Sequence, residues 1–425
     1  MPLLQTLSRE QLLARQRELR TTYADLESRH LSLDMTRGRP CPEQLDLSAG
    51  LSECVGPDSY AAADGNDCRN YGDLKGLPEA RELLAGYLRV APDEIIVADN
   101  SSLRLIHDTI ARCITHGPPG GEERWSDLPV ARFLCPCPGY DRHFAVLEHF
   151  GVEMIPVPMR EDGPDMDAVE ERARMDELVR GIICVPRYSN PTGVTYSAET
   201  VERLAHMSAL PEFRIFWDNA YAVHHLTDAP PELRSITDAC RAAGCPDRPI
   251  LFGSTSKVTF AGAGVAMIAS SRRNLEQIAG HLRVQTIGPN KLNQLRHVRF
   301  LRNMEGIEAH MRKHAAILRP KFAAVQRTLH EHLAGKGVAE WTDPDGGYFV
   351  SFDTVDGCAA EVVRMAGAAG VRLTRAGATF PYGDDPRDRN IRIAPTLPSA
   401  PEVEQAMEVL ATCAELAAVE KLLEH

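Results

Sequence analysis

The amino-acid sequence predicts an α/β protein with a large, mostly parallel sheet domain and a smaller α+β domain. Two observations lead to this fold class. Between about residues 92 and 270, short apolar runs alternate with helical stretches, which is the pattern of parallel strands joined by helices. From about Leu295 onward this alternation stops. A chain of 425 residues is long enough for two or three domains of ordinary size.

Seven short apolar runs are predicted as the strands of the large sheet. They lie at residues 93–99, 131–135, 152–158, 180–186, 213–219, 249–255 and 264–270. The helices between them are predicted at residues 101–114, 141–151 and 167–180, with a further helix that begins near Ser197. Helices that follow successive strands are expected to cover both faces of the sheet.

The C-terminal part of the sequence has a different pattern. A long helical stretch spans residues 297–335. Short strands are predicted near residues 346–352, 371–374 and 390–394, followed by a closing helix at residues 401–424. This part is predicted to form the smaller α+β domain, and we expect the charged N-terminal helix to pack on it.

Composition and charge exclude several classes of protein. The chain has 47 Lys and Arg against 59 Asp and Glu, a net charge of −12, which opposes general nucleic-acid binding. We find no run of 18 apolar residues and no signal peptide, so we expect a cytoplasmic protein without a membrane span. The 11 cysteines are then expected as reduced thiols, and their spacing predicts no metal site.

Polar residues follow several predicted strands, at the sheet edge where ligands of parallel sheets bind. They are Asn190 in SNPTG, Asp218 and Tyr221 in WDNAY, and Lys257 in STSK, together with Ser101 and Ser102 at a helix start. A partly desolvated lysine has a lowered pKa and can form a Schiff base. A nearby carboxylate can pair with a pyridine nitrogen, and a helix N-terminus can hold a phosphate. These are the three requirements of pyridoxal 5'-phosphate.

Each of these signals is weak when taken alone. SNPTG is ordinary turn chemistry, Asp-x-x-Tyr is common, and a lone SxSK is more often a surface turn. The prediction depends on their order and placement. Each lies at the end of a separate strand, with 28 residues from Asn190 to Asp218 and 39 from Asp218 to Lys257.

With these motifs in order, the sequence resembles the aspartate-aminotransferase-type, fold-type I pyridoxal-phosphate enzymes. From about Thr36 onward the matching segments are NYGDLKGLPEARELLAGYL (70–88), SNPTG, WDNAY, STSK, GGYF (346–349) and NIRIA (390–394). The resemblance implies a large domain over residues 50–295 and a small domain built from residues 1–49 and 296–425. It also implies a homodimer with shared active sites, and ping-pong transfer of an amino group from an amino acid to a 2-oxo acid.

The resemblance assigns five residues to the cofactor ring. Lys257 would bind the cofactor covalently and later shuttle a proton, and Asp218 would pair with the pyridine nitrogen. Tyr221 and Asn190 would hydrogen-bond the phenolic oxygen, and Tyr140 in CPGYDRH would stack on the ring. Tyr140 could also be a core aromatic near a helix start.

Four residues are assigned to the cofactor phosphate, and one expected contact is missing. Ser101, Ser102 and Ser254 would hold the phosphate, with Tyr71 reaching across from the partner subunit. Tyr71 could also simply cap a turn. The family usually has an Arg eight residues after the Schiff-base lysine, and this sequence has Val265 there. A phosphate would then lose a bidentate partner, so another group must compensate.

Substrate contacts are assigned by the same resemblance. Arg392 in NIRIA would bind the substrate α-carboxylate, with Gly38 beside it, and Asn190 would also contact the substrate, although Arg392 could also be an ordinary surface residue on an edge strand. An acidic substrate needs a second cation, for which Arg37, Arg39 and Lys291 are candidates and Arg39 and Lys291 the leading ones. Surface solvation, or replacement of the missing phosphate Arg, is the alternative for these three. TRGRP (36–40), TIGPN-K and Val265 together resemble a divergent branch that groups MocR-like proteins with some bacterial aspartate aminotransferases.

Other functions fit the same residues. A lyase, a decarboxylase or an aromatic or kynurenine-type aminotransferase would use the same Lys257 and Asp218, because the bond broken at Cα depends on substrate orientation. A MocR-type regulator would need an N-terminal winged helix. Only about 35 residues precede the first family motif, so the regulator is the least favoured alternative.

Overall fold

The computed structural model describes residues 3–424 of the chain. Its strands are β1 (Leu33–Asp34), β2 (Ile95–Val97), β3 (Arg132–Cys137), β4 (Glu153–Arg160), β5 (Gly163–Pro164), β6 (Val179–Cys184), β7 (Arg214–Asp218), β8 (Pro249–Ser254), β9 (Ala266–Ala269), β10 (Ala339–Trp341), β11 (Val350–Thr354), β12 (Val371–Arg372) and β13 (Asn390–Ile393). Its α-helices are α1 (Arg9–Ser28), α2 (Pro42–Asp46), α3 (Pro78–Leu88), α4 (Ser102–His116), α5 (Asp141–His149), α6 (Met166–Met175), α7 (Ala198–His206), α8 (Ile236–Ala242), α9 (Arg272–Gln285), α10 (Lys291–Leu301), α11 (Met304–Leu333), α12 (Ala359–Ala368) and α13 (Ala400–Glu424).

The large sheet contains all seven predicted strands, and the two-residue strand β5 adds an eighth at one edge. The strand order is β2-β9-β8-β7-β6-β3-β4-β5. The five strands from β8 to β4 in this order pair in parallel, whereas β2, β9 and β5 pair antiparallel with their neighbours. The predicted fold class, an α/β protein with a mostly parallel sheet, is confirmed.

Consecutive residues of the central strands pack on opposite faces of this sheet. In β7, Ile215 and Trp217 belong to one hydrophobic cluster and Phe216 belongs to another. In β8, Leu251 joins the first cluster and Phe252 the second. Because successive side chains of a strand point to opposite faces, both faces must be covered by helices. This double burial explains why these strands are continuous apolar runs in the sequence.

One predicted helix is shorter in the structure than in the sequence analysis. The helix expected over residues 167–180 ends at Met175, and strand β6 follows from Val179. Asp176 causes the change of direction, because its side-chain oxygen accepts a hydrogen bond from the backbone N–H of Leu178 at 2.9 Å. Side chains of this type compete with the helical backbone for hydrogen bonds.

The long helical stretch predicted over residues 297–335 is two helices. Helix α10 ends before Arg302, which has a left-handed backbone with φ of 67°. Asn303 then caps α11, because its side-chain oxygen accepts a hydrogen bond from the backbone N–H of Gly306 at 2.8 Å. The two residues therefore stop one helix and start the next.

The remaining elements form a second part of the molecule around the chain ends. Strands β10, β11 and β13 make an antiparallel sheet, and β1 pairs with β12. Helix α1 packs against α13, as predicted for the N-terminal helix. Arg15 and Lys336 each approach the buried Glu415 to 2.7 Å, so this carboxylate has two cationic partners.

Helix α11 belongs to both parts of the molecule. Its first turns, with Ile307 and Met311, pack in a hydrophobic cluster on the large sheet, whereas Leu318 and later residues pack with the chain ends. Residues that pack on the large sheet therefore continue past residue 295, which the sequence predicted as the end of the large domain. None of the helices within residues 3–424 combines the length and apolar character that a membrane-spanning segment requires.

Candidate active site

Three strand ends bring the predicted site residues to one edge of the large sheet. Strands β6, β7 and β8 are neighbours and run parallel, so their carboxyl ends lie side by side. Asp218 is the last residue of β7, Lys257 follows the end of β8, and Asn190 follows the end of β6. The topology therefore places these three residues on neighbouring loops at the ligand-binding edge.

Asp218 has one satisfied and one unsatisfied carboxylate oxygen. Its Oδ2 accepts a hydrogen bond from Nε2 of His143 at 3.0 Å, and both side chains are buried. Its Oδ1 is buried and has no hydrogen-bond partner among the described residues. A buried acceptor without a partner costs roughly 1–3 kcal/mol. This oxygen is therefore suited to a cationic N–H donor from a bound molecule.

His143 is a site residue that the sequence analysis missed. It lies on α5, one helical turn after Tyr140, and the two rings meet edge-on with centroids 4.8 Å apart. The motif CPGYDRH already contains it, but no spacing rule connects it with Asp218, which is 75 residues away. Burial raises the pKa of Tyr140 to about 12, so its hydroxyl stays neutral.

Lys257 provides an amine in apolar surroundings. Its Nζ lies 4.9 Å from the centroid of the Tyr221 ring. Burial lowers the pKa of Lys257, and the charge of Asp218 offsets part of that effect. Burial also raises the pKa of the Tyr221 phenol well above its usual value. The lysine is therefore closer to its nucleophilic, neutral form than a surface lysine is, while the tyrosine remains a phenol.

The backbone at Lys257 is held by two buried side chains. Its carbonyl oxygen accepts hydrogen bonds from Nε2 of His224 at 3.2 Å and from the Tyr348 hydroxyl at 3.4 Å. Burial and the charge of Lys257 lower the pKa of His224 to about 3, so this histidine is neutral. His224, which the sequence analysis did not single out, therefore holds the backbone that carries Lys257.

The glycines of GGYF are required by this arrangement. A Cβ atom on Gly346 would lie 2.4 Å from the carbonyl oxygen of His224 and 2.4 Å from the Tyr188 ring. Gly347 donates its backbone N–H to the same His224 carbonyl at 2.9 Å. The loop before Tyr348 is therefore pressed against the segment that holds Lys257.

The N-terminus of α4 lies against the turn that carries Lys257. The hydroxyl of Ser254 donates to Ser256 at 3.1 Å, and Ser256 donates to the carbonyl of Asn100 at 3.3 Å. Ser101 precedes the helix without capping it, and Ser102 is its first residue. The first turn of α4 contains no acidic residue, so its exposed N–H groups remain available for an anion. Ser256, absent from the sequence prediction, belongs to this group of hydroxyl and N–H groups around the start of α4, which is here called the cup.

Val265 contributes no cation to the cup. Its side chain is buried in a hydrophobic cluster, and its backbone N–H donates to Oγ1 of Thr255 at 2.9 Å. Lys291 is also engaged elsewhere, because its Nζ donates to Asp73 at 2.9 Å and to the carbonyl of Tyr71 at 3.2 Å. Lys291 thus holds the Tyr71 segment, and two of its three N–H donors are used. This engagement speaks against the free substrate-binding cation that the sequence suggested.

Arg392 is buried on β13 and points toward the same sheet edge. Its guanidinium carbon lies 5.0 Å from the centroid of the Phe349 ring, and its Nη1 lies 3.4 Å from Oδ1 of Asn190. Its shortest contact, 2.5 Å, is with Oδ1 of Asp141. A Cβ atom on Gly38 would lie 2.6 Å from Phe349. Glycine at position 38 therefore allows its chain segment to approach this ring.

Three further predicted residues lie on the outside of the chain. Arg37 and Arg39 have exposed side chains beside Gly38, and the Arg39 carbonyl accepts a hydrogen bond from Thr396 at 2.8 Å. Tyr71 is 78% exposed. In this single chain, none of the three is enclosed in the site, and Tyr71 is free to contact another molecule.

Comparison with known proteins finds aminotransferases over nearly the whole length of the chain. A family model described as aspartate amino-transferase matches residues 7–425. A putative aminotransferase of Mycolicibacterium smegmatis is 48% identical over 99% of each chain. An aspartate aminotransferase of Corynebacterium glutamicum is 47% identical over 95% of this chain and 93% of that protein. The crystal structure of an aspartate transaminase from the same organism superposes with a TM-score of 0.96 at 46% identity, covering 99% of each chain.

Proposed function

The chain belongs to the aspartate aminotransferase family of fold-type I pyridoxal-phosphate enzymes and is an aminotransferase; we propose that its amino donor is aspartate or another acidic amino acid. The acceptor is a 2-oxo acid. The names of the relatives at 46–47% identity support aspartate. The observation that carries the site assignment is the buried Oδ1 of Asp218, which has no partner within residues 3–424, together with a buried lysine of lowered pKa whose charge it influences.

The residues present fit pyridoxal 5'-phosphate. Asp218 Oδ1 would accept the pyridine N–H, which gives that orphaned oxygen a partner. Asn190 and Tyr221 would contact the phenolic oxygen, and Tyr140 would lie against the ring. The α4 N-terminus would hold the phosphate, with hydroxyls from Ser101, Ser102, Ser254 and Ser256. When bound, this cofactor supplies an electron sink that makes the Cα proton of an amino acid acidic.

The chain's own residues would then perform three tasks. Lys257 would hold the cofactor covalently, and its amine, once released by the incoming amino acid, would accept the proton from Cα of the donor and later donate a proton to the acceptor carbon; its lowered pKa favours this role. Asp218 keeps the nearby positive charge stable, and His143 fixes the orientation of that carboxylate through its 3.0 Å hydrogen bond. Arg392 binds the α-carboxylate, because a guanidinium can grip a carboxylate with two parallel hydrogen bonds.

A homodimer would complete the phosphate site. Tyr71, Val284 and Ile287 are 78%, 92% and 66% exposed. A Cβ atom on Gly288 would lie 2.3 Å from the Gly72 carbonyl oxygen, so the segments that carry these residues touch. The exposed apolar surface around Tyr71, Val284 and Ile287, here called the Tyr71 surface, would be covered by a second copy. Tyr71 would then reach the partner's phosphate cup, which has Val265 where the family usually has Arg.

Steady-state kinetics on a panel of amino donors tests the proposed substrate. We expect kcat/KM to be highest for aspartate or glutamate and lower for alanine, phenylalanine and kynurenine. Arg39 is exposed in the single chain, so it would act only once a bound dicarboxylic substrate or a second copy covers it. Under this proposal Arg39→Ala should lower kcat/KM for aspartate by about 30- to 1000-fold, since a lost charge-assisted contact costs roughly 2–4 kcal/mol, and should leave alanine nearly unaffected. A wild-type preference for a neutral or aromatic donor would contradict the acidic substrate.

A further inference from the structure

The buried guanidinium of Arg392 already carries a carboxylate. We propose that Asp141 competes with the substrate α-carboxylate for Arg392 and thereby sets how tightly the enzyme binds its amino acids and oxo acids. The inference rests on the proposed role of Arg392 as the α-carboxylate site. It concerns a residue that neither the sequence motifs nor the cofactor contacts assign.

The contact between Asp141 and Arg392 is the dominant one at this guanidinium. Oδ1 of Asp141 lies 2.5 Å from Nη1 of Arg392, whereas the contacts to Asn190, Thr36 and Thr374 are 3.4–3.5 Å long. Nε of Arg392 is buried and has no hydrogen-bond partner among residues 3–424. The guanidinium is therefore poised to bind a carboxylate, and Asp141 supplies the nearest one.

The position of Asp141 has an alternative explanation, which its contacts do not favour. Asp141 is the first residue of α5, where an acidic side chain stabilises the helix through its dipole. A residue used mainly in this way would direct its carboxylate to the backbone N–H groups of its own helix. Within the described chain, however, the hydrogen bond of the Asp141 carboxylate is the one from Arg392. Its side chain is directed away from the helix end.

The two side chains differ in how freely they can move. The side chain of Arg392 is 5% exposed and is held by the Phe349 ring, whereas that of Asp141 is 31% exposed. Asp141 can therefore turn toward solvent, while Arg392 stays in place. Two carboxylates on one guanidinium repel each other, so an incoming α-carboxylate displaces Asp141 before it can make both hydrogen bonds.

This competition weakens binding without changing the chemistry. The apparent dissociation constant equals the intrinsic constant divided by the fraction of enzyme whose Arg392 is free. If Asp141 occupies Arg392 about nine-tenths of the time, carboxylates bind about tenfold more weakly than they would without it. Binding is weakened by the same factor for substrate and for product, because each presents the same α-carboxylate. Weaker binding of the product favours its release.

Calorimetric titration of the holoenzyme with propionate and succinate tests the competition. Asp141→Asn keeps the shape of the side chain and removes its charge, and Asp141→Ala removes the side chain. We expect both variants to bind propionate about 3- to 30-fold more tightly than wild type, with a lower KM for amino acids and kcat unchanged or lower. The matched control is Glu340→Gln. It removes the negative charge that pairs with Arg389, three residues before Arg392, and should leave propionate binding unchanged.

The direction of the effect separates competition from support. If Asp141 mainly aligned Arg392, its loss would weaken propionate binding, and unchanged, weaker or absent binding in Asp141→Asn would overturn the proposal. Propionate has no second carboxylate, so it reports on Asp141 alone. Suppose that the Asp141 variant binds propionate more tightly than wild type does, and that wild type binds succinate no better than propionate. This result would support the role of Asp141 and would contradict the proposal of an acidic amino donor. If instead wild type prefers succinate and the variant does not bind propionate more tightly, the proposed role of Asp141 would be contradicted and the proposal of an acidic donor would stand.

Discussion

Nε2 of His143 lies 3.0 Å from Oδ2 of Asp218, and the other oxygen of that carboxylate is buried and has no partner in the part of the chain that the structure describes. The pair joins the start of α5 to the end of β7. It fixes the direction in which the free oxygen points, and a fixed acceptor needs no reorganisation when a cationic donor arrives. His143 is therefore a positioning residue for Asp218.

Replacement of Asp218 should separate cofactor binding from turnover. In Asp218→Asn, kcat should fall at least about a hundredfold, because roughly 3 kcal/mol of charge-assisted bonding is lost where positive charge is stabilised. In His143→Phe the fall should be smaller, since the charge remains but its orientation is looser. Both variants should retain pyridoxal phosphate after gel filtration, as measured by absorbance. A near-wild-type kcat in Asp218→Asn would show that the carboxylate does not act on the cofactor.

Lys257 should be the point of covalent attachment of the cofactor. Borohydride reduction of the holoenzyme followed by peptide mapping should place the label on Lys257, and Lys257→Ala should have no measurable turnover. The exposed Lys313 gives a control, because Lys313→Ala should behave as wild type. A label on any other lysine would exclude the assignment.

The stability of the fold should decrease in mild acid because of His224. Burial lowers its pKa from 6.5 to about 3, so between these values the unfolded chain binds more protons than the folded one. The contribution of neutral His224 to the free energy of unfolding is therefore fully present above pH 6.5. It decreases as the pH falls toward 3, by about 1.4 kcal/mol per pH unit for each such group. His225 and His314, with pKa values of about 4, act in the same direction.

Urea unfolding at pH 7 and pH 5 measures this dependence. His224→Phe removes the titrating group and should reduce the loss of stability between the two pH values. The exposed His330 provides the control, because His330→Phe should keep the wild-type pH dependence. An identical pH dependence in His224→Phe and wild type would contradict a protonation cost at this site.

The Tyr71 surface should be the dimer interface. Ile287→Asp places a charge in that surface and should shift the protein toward monomer in sedimentation velocity, with weaker retention of pyridoxal phosphate. Met175→Asp is the matched control, because Met175 is 71% exposed on α6. A fully active monomer, or equal effects of the two substitutions, would contradict the proposed interface.

The sequence was sufficient to place the strands of the large sheet because their buried, apolar runs are short and bounded by turns. Asn190, Asp218 and Lys257 could be singled out since each follows one of these strands; their roles stay predictions. His143, Asp141 and Ser256 could not be found in this way. Their significance lies in contacts with residues far away in the chain, and periodicity describes only local structure.

Lys291 illustrates the same limit for charged residues. Lys291 follows a Gly/Pro-containing stretch of the sequence, which suggests a free cation, yet in the structure it is the first residue of α10 and its ammonium group donates to Asp73 and to the Tyr71 carbonyl. Sequence alone does not reveal which acid pairs with which base. The end of α6 at Asp176 has a similar cause, because a side-chain hydrogen bond to Leu178 outweighs helix propensity.

The packing of α1 on α13 has a consequence for how the protein is made. The ion pair between Arg15 and Glu415 joins residues that are 400 positions apart, so Glu415 is synthesised long after Arg15. At about 5–20 residues per second, α1 waits roughly 20–80 s for its partner helix. During that time Leu12, Leu19 and Leu26, which are buried in the finished protein, have no native surface from α13 to cover them. Until α13 has been synthesised, the apolar side chains of α1 that α13 covers in the folded protein stay exposed, and transiently exposed apolar surface of this kind promotes aggregation.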